Sequence, residues 1–138
     1  MMFESFCFED TFDLGVSFAK KAKAGEVFAL LGDLGAGKTA FAKGFASGLG
    51  GVQKVTSPTF SLLNVHSDCN PILYHFDLYR IKTIDELEDI GYYEYINADG
   101  ICLVEWANIL PGIISKFATV LEFKVDALNS NRREIFVL

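Results

Sequence analysis

Eight residues, Gly32-Asp33-Leu34-Gly35-Ala36-Gly37-Lys38-Thr39, constrain the fold more than any other stretch of this 138-residue chain. They match G-x-x-x-x-G-K-[ST], a loop that leaves a buried strand and opens a helix. Its glycines let successive backbone N–H groups point inward at a phosphate, and the following helix adds its positive end. The flanks agree with that placement. Glu26 to Leu31 is too apolar for a half-exposed strand and suits a central one buried on both faces. Beyond Lys38, Phe41, Phe45 and Leu49 fall four apart beside Ala42 and Ala46, and Gly48, Gly50 and Gly51 stop the helix. Lys38 is expected to reach β- and γ-phosphate oxygens of ATP or GTP, and the Thr39 hydroxyl to ligate the magnesium ion between them. Asp33, Gly35, Ala36, Gly37, Lys38, Thr39 and Ala40 are the phosphate-binding candidates.

The rest of the chain alternates strands and helices. Phe3 to Phe8 reads as an edge strand, Asp10 as a helix cap, and Phe12, Val16, Ala19 with Leu14, Phe18, Ala22 as the apolar stripes of a helix that Gly25 ends. Phe60 to Val65 and Ile72 to Tyr79 read as a hairpin around Ser67 to Pro71. Thr83-Ile84-Asp85-Glu86 has capping-box form, and the short helix it opens is closed by Gly91. Ile101 to Val104 is a second buried strand, and Ala118 to Val125 and Arg133 to Leu138 are two more around Asn129 to Asn131. The pattern predicts one α/β domain over residues 1–138, a P-loop NTPase-like mixed sheet flanked by helices.

Such a phosphate loop needs a carboxylate at the end of a neighbouring strand to complete the magnesium shell. Glu105 follows the apolar run Ile101 to Val104, and Asp77 sits where the second hairpin strand leaves apolar surroundings. Each has a plainer reading, a helix cap or a partner for Arg80. Thr56-Ser57-Pro58-Thr59 resembles the hydroxyl-bearing switch segment of nucleotide hydrolases, and is equally readable as a turn fixed by Pro58. Trp106, the only tryptophan, reads as core, and His66 and His75, lacking a third ligand nearby, read as structural.

Composition narrows the partners. A formal charge of −6 opposes direct, strong nucleic-acid binding, which depends on Lys and Arg contacts to phosphates, so contact with RNA is expected through a partner. Three cysteines without a C-x-x-C pair suggest reduced structural thiols rather than a disulfide set or zinc site. The acidic opening and the lack of ~18 consecutive apolar residues point to the cytoplasm, with no membrane contact.

Four segments in series, the phosphate loop, Thr56 to Phe60, His75-Phe76-Asp77-Leu78-Tyr79-Arg80 and Val104-Glu105-Trp106, resemble the TsaE (YjeE) family in order and spacing. The resemblance runs through most of the chain. It implies a P-loop ATPase of tRNA threonylcarbamoyladenosine biosynthesis, weak alone, that works with the TsaD and TsaB subunits without being the transferase. Carried onto this sequence, it implies catalytic roles for Lys38, Asp77 and Glu105, with magnesium held by Thr39, Glu105 and Asp77. Thr11, Trp106 and Arg133 are implied as further nucleotide contacts. Leu138 is an early ending for the family, which bears on any C-terminal partner contact.

Two other enzyme classes fit less well. A small GTPase would need N-K-x-D, for which Phe123-Lys124-Val125-Asp126 substitutes Phe for Asn, and a D-x-x-G that the chain lacks. A small-molecule kinase would need a basic lid, and only twelve Lys and Arg are available. A nucleotide-dependent docking switch needs the same loop and ligands as an ATPase, so the two stay open together.

Overall fold

The computed structural model describes residues 1–52, 55–56 and 62–138. In chain order the elements are β1 (Met2–Ser5), α1 (Phe8–Lys21), β2 (Val27–Leu31), α2 (Lys38–Gly48), β3 (Leu63–His66), β4 (Leu73–Asp77), α3 (Ile84–Asp89), α4 (Tyr92–Ile96), β5 (Ile101–Glu105), β6 (Thr119–Val125) and β7 (Arg133–Val137). They form one seven-stranded sheet in the order β1-β7-β6-β2-β5-β4-β3. Its central strands β6, β2, β5 and β4 run parallel, while β1, β7 and β3 pair antiparallel at the two sides. This is the expected mixed sheet.

The two-residue side-chain period of a strand divides the core. Phe28 and Leu30 of β2 face α1 and α2, where Phe41, Phe45, Leu103, Leu121 and Phe123 gather. Val27 and Ala29 face the opposite layer with Phe76, Val104, Leu87 and Tyr92. Edge-to-face rings interlock the first layer, with Phe28 and Phe45 at 5.1 Å and Phe41 and Phe123 at 5.5 Å between centroids. The helices α1 and α2 lie so close that a Cβ on Gly44 would stand 1.9 Å from the Phe12 carbonyl oxygen.

Several local expectations change. The first strand stops at Ser5, and Cys7 is the residue flanking α1, so Asp10 lies in its first turn and accepts the Phe6 N–H at 2.9 Å. That carboxylate satisfies a donor outside the helix instead of capping from position one. α1 ends at Lys21, before Gly25, which enters the turn to β2 at φ 93°. Gly91 closes α3 as expected, its N–H donating to the Glu88 carbonyl at 2.9 Å, but at φ 77° it also starts α4, whose Tyr92 is buried against Phe76. The Thr83 cap holds, its Oγ1 accepting the Glu86 N–H at 3.2 Å. The β3–β4 and β6–β7 hairpins form as expected, though Phe60 and Ser61 lie outside the described residues. Cys69 and Cys102 are buried free thiols pushed up to about 11 and about 12 by burial, whereas Cys7 is exposed. Among the described residues no helix is long and apolar enough to cross a membrane.

Candidate functional site

The parallel strands β2, β4 and β5 all end on one side of the sheet, and the loop from β2 to α2 closes over those ends. In an open parallel sheet this is where ligands bind. A cavity of about 660 Å³ lies there. The loop makes its turns with Gly32, Gly35 and Gly37 at φ 145°, 80° and 107°, values a side chain rarely tolerates. A Cβ on Gly32 would also stand 2.6 Å from the Phe123 carbonyl. Gly37 then starts α2, whose first intrahelical bond joins the Phe41 N–H to the Gly37 carbonyl, leaving the preceding amides at the cavity.

Lys38 is buried, with 4% exposure, at the base of this loop. Its ammonium donates to the Gly32 carbonyl and lies 4.2 Å from the Trp106 ring centroid. Burial lowers its pKa, and the nearby Glu105, Asp77 and Asp33 oppose that shift. Trp106 reaches it because the chain turns at φ 58° directly after Glu105, an unusual conformation for a bulky residue. Its ring also packs on Tyr79 at 4.9 Å.

The two carboxylates sit side by side. Asp77 and Glu105 are register partners at the ends of β4 and β5, both almost fully buried. The Asp77 carboxylate accepts the Tyr79 N–H at 3.0 Å. Glu105 Oε2 lies 2.6 Å from Nε2 of a wholly buried His75. Thr39, Asp77 and Glu105 all line the cavity, and a hydroxyl with two carboxylates is a hard oxygen set that suits magnesium. Among the described residues no three His, Cys, Asp or Glu side chains could hold a metal unaided. Magnesium fits such a site because it usually takes one or two carboxylates and completes its shell with water and substrate phosphates.

Thr11, Gly35, Gly37, Ala40, Trp106 and Arg133 line the same cavity. Thr11 shares a 2.6 Å bond with Ser5, and Arg133 donates to the Gly35 carbonyl at 3.2 Å, which ties β7 to the loop. Arg132 is turned away, toward Glu4, Asp126 and Glu134. Asp33 and Ala36 face a neighbouring cleft between the loop and Trp106. Ser57, Pro58, Thr59 and Phe60 lie outside the described residues, and Thr56 is exposed. Sequence reasoning passed over Phe6, Cys7, Phe8, Tyr79, Arg80 and Asn131 in the lining, and His75 behind it. Strand alternation was the available signal for His75, since it shares a face with Asp77.

A family model for TsaE, described as threonylcarbamoyl adenosine biosynthesis protein TsaE, matches residues 7–135. The chain belongs to the TsaE family. It is 49% identical over 102 residues to tRNA threonylcarbamoyladenosine biosynthesis protein TsaE of Bacillus subtilis, covering 74% of this chain and 63% of that relative. The chain thus spans less than two thirds of the Bacillus relative. The Treponema pallidum TsaE is 36% identical over 129 residues, covering 94% and 93% of the two chains. The crystal structure of Bacillus subtilis YdiB superposes with a TM-score of 0.80 at 34% identity, over 98% of this chain and 82% of that one. The span matched by the TsaE model includes every candidate residue from Thr11 to Arg133.

Proposed function

We propose that this chain binds ATP with magnesium and hydrolyses it slowly in support of tRNA N6-threonylcarbamoyladenosine formation, beside TsaD and TsaB. One observation carries the reading: a buried lysine at a glycine loop shares its cavity with two carboxylates on adjacent parallel strands. A cleft built only for shape has no use for that costly charge arrangement. Family membership supplies the pathway.

The loop amides and Lys38 bind and orient the phosphates, and the ammonium stabilises charge on the transferring phosphoryl group. Thr39 and Glu105 hold magnesium, which when bound offsets charge on the β- and γ-phosphate oxygens. Asp77, on the neighbouring strand, lies beside the metal position and chiefly orients the attacking water. Trp106 and Tyr79 wall the site on one side, and Thr11 and Arg133 on the other.

A docking switch is the second reading, favoured by the Lys38 contacts to Gly32 and Trp106. An incoming phosphate competes for that ammonium, so nucleotide state is coupled to the loop and the indole. ATP turnover by the chain alone and with TsaD and TsaB separates the readings: stimulated multiple turnover supports the ATPase, and partner affinity that tracks nucleotide without turnover supports the switch. Competition of ATP and GTP against a fluorescent ADP analogue tests the base. Equal or better displacement by GTP would remove adenine as the ligand.

A further inference from the structure

Behind the Glu105 carboxylate lies a buried contact with the His75 imidazole. We infer that His75 is a positioning residue for Glu105, holding its carboxylate in the orientation that magnesium requires. The inference rests on the reading of Glu105 as a metal-holding group.

The geometry begins with strand register. His75 pairs with Leu103 and Asp77 with Glu105 across the parallel β4–β5 ladder. Alternation puts all four side chains on one face, that of Leu73, Ile101 and Leu103 in the layer under α1 and α2. An imidazole in such apolar surroundings costs free energy unless it is hydrogen-bonded. Its bond goes to Glu105 Oε2, at 2.6 Å, with His75 wholly enclosed. A carboxylate only accepts, so the proton is on Nε2 and the ring donates.

The other side of the ring identifies the role. His75 Nδ1 has no hydrogen-bond partner among the described residues, and neither does Nε2 of His66, whose ring stands 6.4 Å behind. His75 is therefore not wired into a polar scaffold: packing fixes the ring, and its one side-chain hydrogen bond among the described residues goes to the cavity carboxylate. That bond occupies Oε2 and sets the carboxylate plane. Oε1 makes no hydrogen bond among the described residues and is the oxygen available to a cation. Groups that hydrogen-bond a metal ligand in this way typically change metal affinity or activity by about 10–100-fold when removed.

The test uses the full chain and titrates magnesium against binding of a fluorescent ADP analogue, with thermal unfolding alongside. A Gln amide nitrogen reaches the position of Nε2, whereas an Asn amide reaches only that of Nδ1. His75→Gln is expected to keep magnesium dependence near wild type, and His75→Asn and His75→Ala to need about tenfold more magnesium or beyond. Metal-free analogue binding should be equal in all four proteins. In a Glu105→Gln background the His75 substitutions should have no further effect. Equal magnesium dependence of His75→Gln and His75→Asn overturns the inference, and that comparison stands even where His75→Ala does not fold. A wild-type chain showing no magnesium-dependent binding removes the functional reading itself, a result distinguishable because it needs no variant.

Discussion

The ammonium of Lys38 lies 4.2 Å from the centroid of the Trp106 ring and donates at the same time to the carbonyl of Gly32. A phosphate entering the loop competes with both contacts, each individually modest, a cation–π pair in a partly dry site contributing about 0.5–2 kcal/mol. Because Trp106 is the only tryptophan, its emission reports the exchange. ATP or ADP with magnesium should change that emission in the wild type, and Lys38→Met should abolish both the change and hydrolysis. Burial lowers the Lys38 pKa, so the charged form is disfavoured in the fold and its removal should leave apo stability equal or raised. An apo unfolding midpoint lowered by many degrees would show instead that the Gly32 bond holds the loop together.

Asp77 and Glu105 are register partners, yet their anchors differ: a backbone N–H at Tyr79 for one, a buried imidazole for the other. On the proposed roles, Glu105→Gln removes charge that the metal needs and should weaken magnesium-dependent binding together with turnover. Asp77→Asn should keep ATP binding within a few-fold of wild type and lower single-turnover rates by two orders of magnitude or more, since water orientation matters most in the transition state. Binding constants with and without magnesium, beside single-turnover rates, check this. The opposite pattern would exchange the two assignments.

Much of this layout is legible in the sequence because it is local. The run Val27 to Leu31, the glycine loop and the Phe41–Phe45 spacing define strand, turn and helix within about two dozen residues, and the capping box at Thr83 fixes a helix start in four. The less legible parts depend on distant partners. Nothing near Glu105 announces that His75, 30 residues earlier, donates to it. The Lys38–Trp106 stack requires an αL turn at a tryptophan that reads as core. α4 was hidden because Gly91 serves as a stop and a start at once, and the aromatic Tyr92, Tyr93 and Tyr95 have little helix preference of their own. The cavity wall at Phe6 to Phe8 follows from the early end of β1, an element boundary that apolar alternation blurs.

His66 supplies a pH dependence. Burial and the adjacent His75 lower its pKa, with Asp68 partly offsetting them. The sign follows by linkage: below the ordinary histidine value of about 6.5 the unfolded chain takes up a proton that folded His66 resists, so stability falls as pH drops. His66→Leu nearly keeps the volume and removes the titration, and Nε2 has no hydrogen bond among the described residues to lose. Urea unfolding from pH 8 to pH 5 should show a shallower acid loss in the variant and equal or greater stability at pH 7. Parallel curves for the two proteins would assign the acid sensitivity to other groups.

The last expectation joins packing to the site. α1 and α2 approach through glycines, and a Cβ would meet the Phe41 carbonyl oxygen at 2.2 Å from Gly15 and the Phe12 carbonyl oxygen at 1.9 Å from Gly44. Both obstacles are backbone atoms, which cannot rotate aside as a side-chain tip can, so the helices themselves must separate. In an open helix Gly→Ala gains up to about 1 kcal/mol from propensity, but overpacking a tight interface costs about 1–3 kcal/mol and sometimes more. Overpacking should win at Gly44, with Gly44→Ala losing about 2 kcal/mol in urea unfolding, while Ser47→Ala on the exposed side of α2 stays within about 0.5 kcal/mol. The separation also carries a functional reading. Thr11 on α1 lies against the loop, its Cγ2 3.5 Å from where a Gly37 Cβ would be, so moving α1 outward draws that wall away from the phosphates. Gly44→Ala should therefore weaken binding of the fluorescent ADP analogue several-fold even where the variant remains folded, and Ser47→Ala should not. Unchanged affinity in a destabilised Gly44→Ala would show that the helix pair supports the fold without shaping the cavity.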